Sequence, residues 1–351
     1  MTGQPSTAAD GALAEHARAL VAGALVWDNH ACLPLRPGDT SFLPQLDRLR
    51  DAGVDVVSLN IGFGPQDLDA HIRMLASFRR WIDRHAAHYR LATNVADLDR
   101  ARAAGQLAIV FDVEGMGPLD GGDHGLVQLL HDLGVRWMLV AYNRANAAGA
   151  GVFDADDPGL SQHGRAILAE MRRVGMVACC SHTGPRTALD VMAAAGAPVI
   201  FSHSNAAAVH AHPRNISDDL IRGCAATGGV VGLTGVSLFL GPGAPTAERL
   251  VQHIDHVVQL VGPDHAGLSL DYTFDRQELA DLLANMKDTF PNAPGPDQPI
   301  DFLPPEALPE VVAGLLARGY ADADISKVLG GNWRRIAEAV WPGAAPAATQ
   351  P

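Results

Sequence analysis

Eight short apolar runs recur along the chain, at 24–30, 54–62, 107–114, 136–143, 176–182, 198–205, 229–236 and 266–272. Each is bounded by Gly, Pro or polar residues, and most are rich in β-branched side chains. Continuous apolar runs of this length read as strands buried on both faces, as in a parallel sheet. Between most of them the apolar positions take helical spacing, at 68–88, 125–133, 164–174, 188–195, 218–226 and 247–260. Strand and helix alternating eight times predict an α/β fold, a (β/α)8 barrel of TIM type. An open doubly wound sheet is the rival, but it would carry a Gly-rich phosphate turn after the first strand, and residues 31–38 lack one. Spacing at 305–318 and 321–340 adds extra C-terminal helices beyond the eighth strand.

The same pattern divides the chain into a polar N-terminal segment and helix at 1–23, one barrel domain at 24–341, and a Pro/Ala-rich tail at 342–351 expected to be disordered. Two insertions, 146–162 and 290–303, are placed to form part of a lid over the barrel mouth. Composition then narrows the function. With 351 residues, 48% of them apolar, a large core can be buried, and a net charge of −13 argues against nucleic acid or an anionic membrane as partner. There is no basic segment followed by an apolar core at the start, and no apolar run long enough to span a bilayer. Four cysteines in so long a chain do not make a disulfide framework. These features lead us to expect a soluble cytoplasmic protein with a small-molecule substrate.

Polar residues gather where the predicted strands end. They are Asp28-Asn29-His30-Ala31-Cys32, Asp112-Val113-Glu114, Tyr142-Asn143, Cys180-Ser181-His182, Phe201-Ser202-His203-Ser204-Asn205, and Asp271-Tyr272. In a barrel these ends converge on one mouth. Three imidazoles with a glutamate, an aspartate and a thiol suit a zinc-like cation, and a carboxylate such as Glu114 can bridge two ions that share one water. The plain alternative for each histidine is a packed or solvated side chain. We expect that alternative for His124, His131, His163, His210, His212, His253, His256 and His265, which fall on predicted helices or loops. Cys179, Cys180 and Cys224 read as packing, and Asp28 and Asn29 as candidates to orient His30.

Across residues 26–341 the chain resembles the membrane (renal) dipeptidase family of zinc-dependent barrel hydrolases. The resemblance is carried by Phe111-Asp112-Val113-Glu114-Gly115, the Ser-His and Phe-Ser-His-Ser-Asn runs, His212-Pro213-Arg214-Asn215, and His253-Ile254-Asp255-His256 leading to Asp271. It implies two zinc ions, one held by His30 and the residue two positions on, the other by His182 and His203, with Glu114 between them. It also implies Asp271 as catalytic acid/base, Arg214 with Asn215 beside it as the grip on a substrate carboxylate, and a possible homodimer. Two positions depart from the family pattern. Cys32 stands where the family has an aspartate ligand, and Tyr142 where it has the histidine that polarises the scissile carbonyl. The expected activity is hydrolysis of small dipeptides, including those with a D-residue on the C-terminal side, by metal-activated water. Two alternatives stay open at this point, the same centre acting on another amide, ester or lactone, and a non-catalytic binding protein.

Overall fold

A computed structural model describes residues 8–291, 293 and 299–341. The polar start at 1–7, the expected disordered tail and part of the second insertion lie outside the described residues. The strands are β1 (Trp27–Cys32), β2 (Val56–Phe63), β3 (Tyr89–Leu91), β4 (Leu107–Glu114), β5 (Val135–Leu139), β6 (Val177–Cys179), β7 (Val199–Ile200), β8 (Val231–Leu233), β9 (Ala266–Leu268) and β10 (Tyr272–Thr273). All pairings between them are parallel. A curled sheet runs β10-β1-β2-β4-β5-β6-β7, and β8 and β9 form a separate pair.

Backbone hydrogen bonds join the two pieces into a ring. Phe201 N donates to Val230 O and Gly232 N to Phe201 O, sewing β7 to β8. On the other side Asp271 N donates to His30 O, where the chain passes from β9 into β10 and back against β1. The result is the expected (β/α)8 barrel. One further strand, β3, pairs with the first half of β4 while β5 pairs with its second half. Three residues are too few to show a period, so this strand was not expected from the sequence.

The period of two along each strand explains why chemistry sits at one end. On β2 and β4 the inward positions read Val56, Ser58, Asn60 and Ala108, Val110, Asp112, Glu114: apolar first, polar last. Val56, Ala108, Val110, Trp137, Leu139, Val177, Cys179 and Ile200 form one buried cluster inside the barrel with Trp27, Trp333 and Trp341. The outward positions, such as Val57, Leu59, Ile61, Ile109, Phe111 and Val113, belong to the larger cluster beneath the surrounding helices.

Three departures from the sequence reading matter. The eighth run is broken, because Asp271 takes a left-handed conformation (φ 56°) between β9 and β10. The expected helix at 321–340 is interrupted by a π-helical turn at Lys327–Gly331, where Gly330 lies so close to the entry into β1 that an added Cβ would come within 2.4 Å of Leu25 O and 2.9 Å of Trp27 N. An additional helix, Arg276–Asn285, follows β10 and was not anticipated. Among the described residues no helix is long and apolar enough to cross a membrane.

The β7–β8 seam gives a stability prediction. A Cβ on Gly232 would meet Ser202 O at 2.2 Å, and that backbone is fixed by the seam's own bonds. Gly232→Ala should therefore destabilise the protein by about 1–3 kcal/mol, measured by denaturant unfolding. An unchanged midpoint would mean that the seam is slack.

Candidate metal centre and substrate cavity

At the mouth, β1 supplies His30 and Cys32 and β4 supplies Asp112 and Glu114. The ends of β6 and β7 lead into His182 and His203, and the break after β9 supplies Asp271. Glu114 Oε1 lies 3.6 Å from His30 Nε2, 3.5 Å from His182 Nε2 and 3.2 Å from His203 Nε2. The His182 and His203 Nε2 atoms are 2.8 Å apart. The rings of His30 and His203 stack, with centroids 4.2 Å apart. Cys32 Sγ lies 3.5 Å from His30 Nε2 and 3.7 Å from Asp271 Oδ1. Two overlapping donor groups result, His30–Cys32–Asp271 and His30–Glu114–His203.

Every imidazole is held by its other nitrogen, a common arrangement around metal-ligating histidines. His182 Nδ1 is 2.7 Å from Asn143 Oδ1, an acceptor, so the proton sits on Nδ1 and Nε2 keeps its lone pair. His203 Nδ1 is 2.9 Å from Ser202 Oγ, which continues through hydroxyl contacts to Ser181 and Ser204. His30 Nδ1 faces Asp112 Oδ2 at 3.4 Å, and Asn60 donates from Nδ2 to both Asp112 and Glu114. The expectation that Asp28 and Asn29 orient His30 is not met. Asp28 Oδ1 accepts from Leu270 N and Asn29 Oδ1 from Ser58 Oγ, because the barrel closure and the interior claim them first.

The backbone is strained at the same place. Asn143, His182 and Asp271 have φ of 59°, 62° and 56°, and they are the non-glycine residues with positive φ among the described residues. Such conformations cost about 1–3 kcal/mol each and persist where surroundings over-determine them. Here Val152 N donates to His182 O and Phe153 N to Asn143 O, so the first insertion holds two of the three in place.

The electrostatics suit a cation. Burial holds His182 and His203 well below the usual imidazole range, so both are neutral donors. Burial pushes the Glu114 carboxyl up to about 8 and the Cys32 thiol up to about 12, and raises Asp112 and Asp271. Burial opposes a charge on His30, yet Cys32, Glu114 and Asp112 around it outweigh that and raise it well above its ordinary value. The buried Glu114 Oε1 has no hydrogen-bond donor. An orphaned carboxylate oxygen facing three imidazole nitrogens is a donor set that a zinc-like ion fits, and a coordinated thiol gives up its proton to such an ion.

Around the centre a cavity with about 1100 Å³ of empty volume, part of it open to solvent, is lined by all the expected site residues except Asn215. Arg214 is buried, its guanidinium 5.3 Å from the Phe239 ring centroid, with Nε and Nη2 lacking any acceptor. Asn215 stands behind this wall, donating through Nδ2 to the carbonyls of His210 and Phe239, so it braces the Arg214 loop. Tyr142 stacks on His182 at 4.0 Å.

Of the histidines read as packed or solvated, His131 is buried, His253 is packed as its helix position suggested, and His212 is neither on the surface nor in the core. His212 lines the cavity and accepts from Arg214 N, and His253 is fully buried beneath the same loop, accepting from Ala206 N. Asn143, Asp112, Asn60 and Ser202 were not predicted as site residues. Their signal was available in part, since each lies within two positions of a candidate ligand or on the neighbouring strand's inward face.

A barrel with buried histidines, a carboxylate and a thiol at the mouth defines a metallohydrolase class. The sequence profile of the membrane dipeptidase family (peptidase family M19) matches residues 15–288, and the chain belongs to that family. It is 31% identical over 278 residues to dipeptidase verJ of Clonostachys rogersoniana, covering 78% of this chain and 66% of that protein. It is 30% identical over 285 residues to an uncharacterised protein from the pqqA 5′ region of Klebsiella pneumoniae, covering 78% and 97%. Among solved structures, an amidohydrolase from Pseudomonas aeruginosa superposes with TM-score 0.83 at 26% identity, covering 93% of this chain and 99% of that one. A metallopeptidase from Rhodobacter sphaeroides, liganded with a phosphinate mimic of L-Ala-D-Ala, shares the fold with TM-score 0.73 at 22% identity, covering 91% and 99%.

Asn143 provides a test of how the centre is held. Asn143→Ala removes the acceptor that fixes the His182 tautomer, and metal affinity should fall by about 10–100-fold. Competition with a chromophoric chelator measures this, and an affinity equal to wild type would sink the orienting role.

Proposed function

We propose that the protein is a zinc-dependent dipeptidase that holds two ions, and the observation carrying the proposal is the orphaned Glu114 Oε1 facing the Nε2 atoms of His30, His182 and His203. His30, Cys32 and Glu114 would hold one ion, and His182, His203 and Glu114 the other. Bound there, zinc supplies Lewis acidity toward the scissile carbonyl and lowers the pKa of water to near neutrality. The chain does the rest. Arg214, with two unpaired buried N–H groups, grips the substrate's terminal carboxylate in the planar fork that suits guanidinium.

Asp271 lies 3.7 Å from His30 Nε2, and its carboxyl is raised by burial. That placement suits a base that takes the water's proton and returns it to the leaving amine. Burial, then Glu114 and Cys32, raise the Tyr142 phenol well above its ordinary value, so it stays protonated and serves as a donor to the developing oxyanion.

Asp271→Asn should lower turnover by several orders of magnitude while metal content, read by atomic emission, is unchanged; near-full activity would remove the role. Tyr142→Phe should lower kcat by about 10²–10³-fold with little change in KM, because its hydrogen bond is made in the transition state. For the thiol, Co(II)-loaded protein should show a sulfur-to-metal charge-transfer band that disappears in Cys32→Ser. A spectrum identical in the two proteins would take Cys32 out of the ligand set.

A further inference from the structure

The reading above leaves one large feature unused. On the arc of the mouth formed by β10, β1 and β2 the cavity wall is apolar: Leu35, Phe63, Leu279, Leu282, Leu283 and Phe290. Leu279, Leu282 and Leu283 stand on one face of the helix Arg276–Asn285 at i, i+3 and i+4, and no residue of that helix is fully buried. Leu279 also packs against the core, whereas Leu282 and Leu283 belong to the cavity wall alone. The two carboxylates on this arc are already committed. Asp275 accepts from Arg36 and from the backbone N–H groups of Gln277 and Glu278, and Glu278 accepts from Arg36 and from Leu35 N.

Position decides which part of a substrate meets this wall. The ring order is β1, β2, β4, β5, β6, β7, β8, β9, so β2 and β7 lie opposite one another. Arg214 follows β7, and Phe63 ends β2. A carboxylate on Arg214 and a carbonyl over Glu114 and the imidazoles direct the acyl substituent across the mouth, toward Phe63 and the leucines.

We infer that this arc is a subsite for a large apolar acyl group, so that the preferred substrates carry a bulky hydrophobic residue on the N-terminal side of the scissile amide and tolerate little gain from one on the C-terminal side. The inference rests on the proposed dipeptidase reading for its orientation, through Arg214. Burying an apolar group against partly exposed leucines and phenylalanines removes water from both surfaces, which is the source of the selectivity.

The test uses zinc-loaded protein and phosphinate dipeptide mimics, whose binding is measured by calorimetry without turnover. The Phe-Ala mimic should bind at least about ten-fold more tightly than the Gly-Ala mimic, while Ala-Phe and Ala-Gly mimics differ little. Leu282→Asp and Leu283→Asp, on a helix with no fully buried residue, should bring the first ratio toward one. Unchanged ratios in both variants, equal binding of the Phe-Ala and Gly-Ala mimics, or a preference on the C-terminal side, would overturn the inference. A desamino Phe-Ala mimic separates two sources of the same chemistry. Binding as tight as its parent assigns the subsite to apolar acyl groups in general, and weaker binding assigns it to aminoacyl groups. Hydrolysis of Phe-Ala and Gly-Ala is followed in parallel. Absent turnover with an intact binding ratio would overturn the dipeptidase reading and leave the subsite standing.

Discussion

The concentration of carboxylate and imidazole around Glu114 Oε1 is the constraint on which the rest of the structure depends. A carboxylate oxygen buried without a donor is expensive to keep, and here three imidazole nitrogens within 3.6 Å turn it toward one point. Around that point stand groups whose only visible task is to hold others still: Asn143 on His182, Ser202 on His203, Asp112 on His30, and Asn60 across Asp112 and Glu114. The left-handed residues Asn143, His182 and Asp271 belong to the same arrangement. Strain is tolerated there because backbone bonds from the first insertion and from β1 leave those residues no other conformation, a rigid mount that a metal centre requires.

The barrel and the gathering of candidate ligands at its mouth were legible because both follow from a period of two that ends in polar residues. A run such as 107–114 states its inward face, its outward face and its functional end at once. What was not legible shares a different cause. β3 and the helix Val95–Ala103 were missed between the second and third expected strands, since Tyr89–Leu91 is too short to show a period and the helix carries no large apolar side chains besides Val95 and Leu98. The Arg276–Asn285 helix was missed because it has no fully buried residue, and its leucines line a cavity more than they fill a core. His212 was not expected in the cavity because local sequence does not report how a loop folds back over the barrel mouth. The partner of His30 was sought at Asp28 and Asn29, adjacent in sequence, and was found on β4, adjacent in space.

The departures from the family pattern share a direction. Where the resemblance implies a carboxylate and an imidazole, this chain has Cys32 and Tyr142, groups that are neutral unless a cation draws off the proton. The wall beyond them is leucine and phenylalanine, and the rim carboxylates Asp275 and Glu278 are paired with Arg36. Where free charges are fewer and an apolar wall stands, the effective dielectric is lower, and the interactions that remain act more strongly. In the proposed reaction Arg214 toward a substrate carboxylate, Asp271 toward a proton, and the Tyr142 hydroxyl toward a developing oxyanion would all gain from this. The same change that makes the cavity hospitable to an apolar group thus compensates for the charge given up at positions 32 and 142. An apolar substrate group would complete the effect by excluding the last solvent from the arc between β10 and β2.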